Sequence, residues 1–468
     1  MPRAARSENM QLHLLASGGL ALVLAQTAAA QAPAGAPDFD SALKADRWLE
    51  DWSWVRPDDP QAPAFKNIAF GPEDQWRLTF GGEGRIRAET RDPAEFGIPG
   101  AGAVNAANFR GLAHADARFG EDVRLFVQVG SWGQEGRAVP RIFDEAEVAV
   151  QRAFADVKLT PEATLRLGRQ DLFRSSSRLL FPVDIFNYQL VHDAAALRYR
   201  GDHLRVQVFH GERFLTGPGV FEKRDLGGET LTGAFVEGSL DSLPGHEFGA
   251  FVLHQETDAG AFPRRPGPEA RTSWIARVSR KAAPWTLSAE AGLQTGNVPG
   301  ADISAWAFAT EVTRTLDIPR KPALTMRIDG ASGNEAGTDD NETWATLAPV
   351  MGYLGRTGDY TATNVIGAYP EVSFDVAPDL RLSLGGEVTW RASRGAAVSA
   401  PGAAAPYLPA GVPGDGPVIY GAILKGRWAP SARWEVNGEL SWLEPAGALK
   451  DFGGEGRFNG VVSLTTRF

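Results

Sequence analysis

The sequence contains no cysteine, which excludes a disulfide framework, a thiol nucleophile and a cysteine-ligated metal. It also lacks long apolar runs. After the first thirty residues no stretch of this 43% hydrophobic chain approaches the ~20 consecutive apolar residues of a transmembrane helix. A membrane role would therefore fall to strands. Basic residues are in deficit as well: 47 Lys and Arg against 57 Asp and Glu leave a net charge of −10, which argues against general nucleic-acid binding. That total leaves a pore open, because acids can sit on loops while bases line a lumen. The histidines at 13, 114, 192, 203, 210, 246 and 254 show no metal-ligand spacing, and there is no phosphate-binding glycine loop or lipase elbow. Neither a catalytic centre nor a cofactor is expected.

What the chain does have is alternation. Trp76-Arg77-Leu78-Thr79-Phe80, Val123 to Val129, Leu382 to Trp390 and Trp434 to Trp442 all repeat apolar and polar residues with a period of two. One alternate set can face lipid and the other water. Tight Gly, Pro and Asp turns recur at Phe119 to Asp122, Thr160 to Glu162, Arg200 to Asp202, Lys281 to Pro284, Ile318 to Pro322, Ala377 to Asp379 and Pro430 to Ala432. Longer irregular stretches lie between them: Arg91 to Ala106, Trp132 to Glu145, Phe173 to Leu190, Arg213 to Gly228, Thr257 to Ala270, Gly296 to Gly300, Ala331 to Tyr360, Ser393 to Pro417 and Glu444 to Gly456. The pattern predicts an all-β transmembrane antiparallel barrel of about eighteen strands, with short periplasmic turns and long extracellular loops. A barrel of that size leaves an aqueous channel. The chain ends on an alternating strand with Val462, Leu464 and Phe468 on one face.

Arg3 and Arg6, then Leu12 to Ala25, then Ala28-Ala29-Ala30 have the charged, apolar and small-residue regions of a secretory signal peptide, expected over residues 1–30. Residues 31–74 read as a periplasmic lead-in and 75–468 as the barrel. In the lead-in, Trp48, Trp52 and Trp54 suit a plug or the barrel base better than a sugar site.

Several runs resemble the alginate export porin family over nearly the whole mature chain. Glu50 to Arg56 and Leu78 to Arg87 look like that family's opening segment and first strand. Gly168-Arg169-Gln170-Asp171-Leu172, followed by Arg178-Leu179 and Asn187, is similar to its most recognisable run, and Ala331-Ser332-Gly333-Asn334 with Asn364 to its later part. Phe173-Arg174-Ser175-Ser176 and His192-Asp193 depart from the family pattern, and both touch the expected constriction loop. The resemblance implies a monomeric eighteen-stranded outer-membrane channel with an arginine-rich lumen that conducts an acidic polysaccharide.

Placing bulky apolar residues outward sends Arg77, Glu83, Arg85, Arg87 and Glu89 of the first strand inward, then Arg110, Asp116 and Arg118, then Arg124. Arg152, Asp156, Lys158, Arg166, Arg198, Arg200 and Arg205 continue this arginine-rich arc, while later strands, with Arg391, Lys425 and Arg427 against Glu387, Glu435 and Glu439, are balanced. Guanidinium groups stay charged and grip carboxylate or phosphate bidentately. The competing reading is lumen packing in which each arginine neutralises a neighbouring acid. Arg169 to Asp193, with Arg169, Arg174, Arg178, Asp184, Asp193 and four aromatics, is expected to fold inward as a constriction; the alternative is a loop on the rim. Asp339, Asp340 and Glu342 suit a plain solvated loop better than a calcium or lipopolysaccharide bridge. The function expected is passive outer-membrane conduction of an anionic solute, with a uronic-acid polysaccharide such as alginate foremost. A diffusion channel for small organic or phosphate anions, or a non-conducting structural or adhesive barrel, is the alternative. The expected surroundings are outer-membrane lipid and lipopolysaccharide.

Overall fold

Among the described residues, nineteen strands form one antiparallel sheet, and eighteen of them close into a ring. A short strand β1 (Ile68–Phe70) pairs with the start of β2 (Trp76–Asp92). The ring continues through β3 (Val104–Phe119), β4 (Val123–Glu135), β5 (Ala146–Lys158), β6 (Ala163–Gln170), β7 (Val191–Arg200), β8 (Leu204–Phe214) and β9 (Glu229–Gly238). It then runs through β10 (His246–Gly260), β11 (Gly267–Ala282), β12 (Trp285–Val298), β13 (Ala301–Thr315) and β14 (Ala323–Ala331). The last five strands are β15 (Val365–Ala377), β16 (Leu380–Arg391), β17 (Pro417–Ser431), β18 (Trp434–Pro445) and β19 (Arg457–Arg467). Each pairs with its chain neighbours, and β19 returns to β2 in register from Phe458↔Asp92 to Arg467↔Glu83. The computed structural model describes residues 39–56, 60, 62–98, 100–138, 144–173, 177–180, 184, 187–224, 228–260, 267–345, 363–399 and 406–468, with residues 40–468 as one compact unit. The expected signal peptide lies outside the described residues, as do Arg174, Phe181 and Phe186.

Alternation explains the strands. On β4, Leu125 and Val127 are exposed on the outer wall whereas Phe126 and Gln128 are fully buried on the inner one. Phe80, Ile86, Leu197, Val208, Trp274, Leu293, Leu384 and Leu424 extend this outer apolar belt around the ring. So much exposed apolar surface is untenable in water and matches lipid. Eight short turns join the strands at one end, seven of them at the expected positions. The eighth, residues 239–245, is Ser-Leu-Asp-Ser-Leu-Pro-Gly. At the other end the expected loop at Gly296 to Gly300 is instead a tight hairpin, since β12 and β13 are separated only by Pro299 and Gly300.

The loop 171–190, between β6 and β7, folds into the barrel, and its apolar side chains explain why. Leu172, Phe173, Leu179 and Leu180 are buried in one cluster with Phe209, Phe235, Phe251 and Ile275 of β8 to β11. Phe235 stands 5.0 Å from Phe209 and 5.5 Å from Phe251, centroid to centroid, and Phe173 lies 6.5 Å from Phe235. This stretch of inner wall is apolar and would meet water if the loop projected outward. Each such side chain contributes about 1.5–3 kcal/mol when buried. Because β6 and β7 stop early, the β8–β9 connection reaches across to β5: Glu147 N donates to Pro218 O (2.9 Å) and Phe221 N to Val148 O (2.7 Å).

The later loops knit together through the residues of the Ala331 to Asn334 run. Asn364 Nδ2 donates to Ser393 O (3.0 Å) and Ala396 O (2.8 Å), and its Oδ1 accepts from Ser393 N (2.7 Å). A Cβ at Gly333 would fall 2.3 Å from the Asn364 side chain, which accounts for glycine there.

Candidate channel lumen

The lumen is crossed by the loop 171–190. Asp184 takes a bidentate bond from Arg110 of β3 (2.6 and 2.8 Å), and its carboxylate lies 3.2 Å from Arg85 of β2. On the opposite side of the ring Ser177 Oγ and Arg178 N donate to Glu290 of β12 at 2.7 and 2.8 Å. Arg178 also reaches Asp329 of β14 (3.4 Å) and Glu311 of β13 (3.5 Å). One loop thus bridges opposing walls.

At the short-turn end the segment before the barrel enters the mouth. Trp48 is buried with Phe126 of β4 and Phe154 of β5. The Arg166 guanidinium lies 4.5 Å from the Trp48 ring and 3.6 Å from the Phe154 ring, and Arg198 lies 5.5 Å from Trp48. Arg124 Nη2 donates to Trp48 O (2.8 Å), while Arg118 donates to Asp51 Oδ1 (3.1 Å) and Glu50 O (3.2 Å). The segment is anchored on the chain's last residue: Arg47 donates to Phe468 O (2.5 Å) and pairs with Glu50 (2.9 Å). Lys66 lies 4.5 Å over the Trp52 ring and donates to Phe80 O (2.7 Å).

Most arginines of the expected arc are engaged by neighbouring acids or carbonyls. Arg85 and Arg110 meet Asp184, Arg87 meets Glu89 (3.1 Å), and Arg124 meets Asp116 (2.7 Å). Arg152 bonds Asp171 in a bidentate fork (2.6 and 2.7 Å), and Arg166 does the same with Asp156 (2.5 and 2.6 Å). Arg198 donates to Gln170 Oε1 (3.1 Å) and Arg205 to Glu247 (2.8 Å). Arg391 donates to Val412 O (2.6 Å), Arg77 donates to neighbouring carbonyls, and Arg200 ends β7 in an exposed position.

Two expected lumen residues face the other way. Arg169 and Asp193 pair across β6 and β7 at 2.8 Å, with the parity of exposed Leu167 and Leu197 and opposite to buried Gln170 and His192. They lie on the outer wall, with Arg169 stacked 3.2 Å from the Phe214 ring. The strands simply continue through both positions, so the inward loop begins after Gln170 and ends before Val191. Gly168 has φ +115°, and a Cβ there would sit 2.4 Å from Ala153 O, which accounts for glycine in the Gly168 to Leu172 run. The partner roles of Glu290, Gln189 and Lys66 carry no local signal in the sequence, because each acts through distant segments: Gln189 accepts from Arg152 at 2.7 Å. In the acidic loop, Glu342 accepts from Glu335 N (2.8 Å), and no metal-ligating cluster occurs among the described residues.

A closed eighteen-stranded ring with an apolar outer belt and a charged lumen defines an outer-membrane porin. Solved porins share the fold. The outer-membrane protein OpdK of Pseudomonas aeruginosa superposes with a TM-score of 0.57 at 11% identity, over 83% of this chain and 98% of that one. OccAB1 of Acinetobacter baumannii gives 0.57 at 10% identity, over 86% and 99%. Pseudomonas aeruginosa OccK2, solved in complex with glucuronate, gives 0.56 at 11%, over 84% and 98%. No curated protein matches the sequence. Residues 76–451 match the family described as alginate export, and the chain belongs to that family. Its place is the outer membrane, among lipids, and its family and fold are those of transport porins, which are non-enzymatic.

Proposed function

We propose that the protein is a passive, monomeric channel for an anionic saccharide, a uronic-acid polymer or its fragments, moving down its gradient. The observation that carries this reading is the mouth: Arg124 and Arg166 lie 5.9 and 3.6 Å from the Phe154 ring of the wall, Arg118 stands across from Arg124 in register, and Arg198 joins Arg166 beside Trp48. Guanidinium forks suit a carboxylate and ring faces suit a sugar ring, so the pair of features matches a uronate better than a simple ion. Membership of the alginate export family and the glucuronate held by a porin of the same fold support the same ligand class. A second reading, small organic anions only, is favoured by the loop 171–190, which narrows the path by bridging both walls; OpdK, of the same fold, has been solved with vanillate.

Reversal potentials across planar bilayers under a salt gradient test the proposal. Anion preference is expected, weakening near 1 M salt where the Debye length is about 3 Å. Cation preference or none would refute it. Permeation of oligouronates of increasing length then separates the two readings, since a channel for polymer shows no early length cut-off.

A further inference from the structure

We propose that Trp48 and Asp51 are built-in occupants of an anionic-sugar subsite formed by Arg118, Arg124, Arg166 and Arg198, from which an arriving anionic saccharide displaces them. This rests on the function proposed above and gives it a periplasmic docking site with its own competitor.

The segment offers those arginines the groups a uronate would. Asp51 supplies a carboxylate to Arg118 at 3.1 Å, and the carbonyls of Trp48 and Glu50 supply neutral oxygens to Arg124 (2.8 Å) and Arg118 (3.2 Å). The Trp48 indole supplies a flat ring 4.5 Å from the Arg166 guanidinium. Such an arrangement adds outer acceptors to arginines that already have partners in the wall. Arg124 and Arg166 each hold an acid of their own wall, Asp116 and Asp156, so the segment caps a cluster already held in place.

The segment's holds are unequal. The Arg47–Glu50 pair is almost fully buried, with side-chain exposures of 2% each, and Arg47 grips the chain terminus at Phe468. The Asp51–Arg118 pair is open, at 63% and 31%. An exposed ion pair contributes little and exchanges readily, whereas removing one partner of a buried pair is far costlier. The backbone at 47–50 therefore stays tethered and keeps its carbonyls on Arg124 and Arg118, while the Asp51 carboxylate yields first and the Trp48 ring follows. Were the segment instead a permanent structural cap, solute would not compete with it.

The test is block of single-channel current by trigalacturonate added on the periplasmic side, with maltotriose as the neutral control. Asp51→Asn is expected to tighten trigalacturonate block by up to about fivefold, the equivalent of a ~1 kcal/mol exposed pair. Trp48→Ala/Asp51→Asn is expected to tighten it further and to raise conductance. Adding Arg118→Gln should reverse the gain, and maltotriose should show none of these effects. Unchanged or weaker block in Asp51→Asn overturns the proposal, even should the Trp48 variant fail to fold, because Asp51 is exposed and its substitution leaves the packed ring in place. The reversal potential of the unaltered channel is read in the same bilayers. Absent anion preference there is the failure of the functional reading, and unaltered block with anion preference present is the failure of this one.

Discussion

Arg110 holds Asp184 and Glu83 at once: its Nη1 and Nη2 reach the Asp184 carboxylate at 2.6 and 2.8 Å, and Nη2 reaches Glu83 Oε1 at 2.5 Å. The first contact pins a loop and the second belongs to the wall. Arg110 and Glu83 are buried, while the Asp184 side chain keeps about half its surface open, 49%. The two sides of this junction therefore have different consequences when broken.

Arg110→Ala leaves Glu83 buried with a weakened partner set and is expected to destabilise the barrel by about 3–5 kcal/mol. Asp184→Ala releases only the loop. It should leave the heat-resistant folded band on a gel and raise single-channel conductance. Equal loss of the folded band in both variants would show that the loop contact, not the wall pair, carries the stability.

Charge reversal separates arginines that hold the wall from those that face solute. Arg205→Glu, at an open position paired with Glu247, is expected to reduce anion preference with folding intact. Arg152→Glu sets a carboxylate against Asp171 in a buried site and is expected to abolish the folded band. Reversal potentials and gel mobility of the two proteins decide this. An Arg205 variant with unaltered selectivity would remove that residue from the conduction path.

Leu125→Arg tests the outer face. Leu125 is exposed on the belt, and a charge near the membrane midplane costs about 2–4 kcal/mol, falling toward zero at the interfaces. Urea unfolding in lipid vesicles measures it. Val123→Arg, on the same face of β4 and next to the short turn, is the milder comparison.

Lys66 gives a pH signature. Burial lowers its ammonium from 10.5 to about 8, with Glu50 opposing the shift. Between those values the unfolded chain binds more protons than the folded one, so this group's contribution to stability rises as pH climbs from about 8 to above 10. Relative to Lys66→Met, the unaltered protein should gain up to about 3 kcal/mol between pH 7 and pH 10.5 in urea titrations. An identical pH response in the two proteins would mean that Lys66 keeps its ordinary titration.

Much of the architecture is legible along the chain because a period of two is a local property: Leu125 and Arg124 are neighbours, and their opposite faces follow from the pleat alone. The turns are legible for a similar reason, except at residues 239–245, where Leu240 and Leu243 interrupt the polar turn chemistry. The site is less so. Arg169 and Asp193 look like loop residues because Gly168 and His192 flank an irregular run, yet both belong to strands that carry them outward. The apolar inner patch of Phe209, Phe235 and Phe251 is invisible until three strands lie side by side.

An antiparallel barrel and its outer apolar belt follow from the order of residues along the chain, since both depend on neighbours one or two positions apart. Which charge meets which is a matter of the folded ring. Asp184 finds Arg110 across 74 residues and Phe468 finds Arg47 across 421. Only ring closure and the inward fold of the loop 171–190 bring such groups within hydrogen-bond range, and so convert an arginine count into a bridged lumen with an occupied mouth.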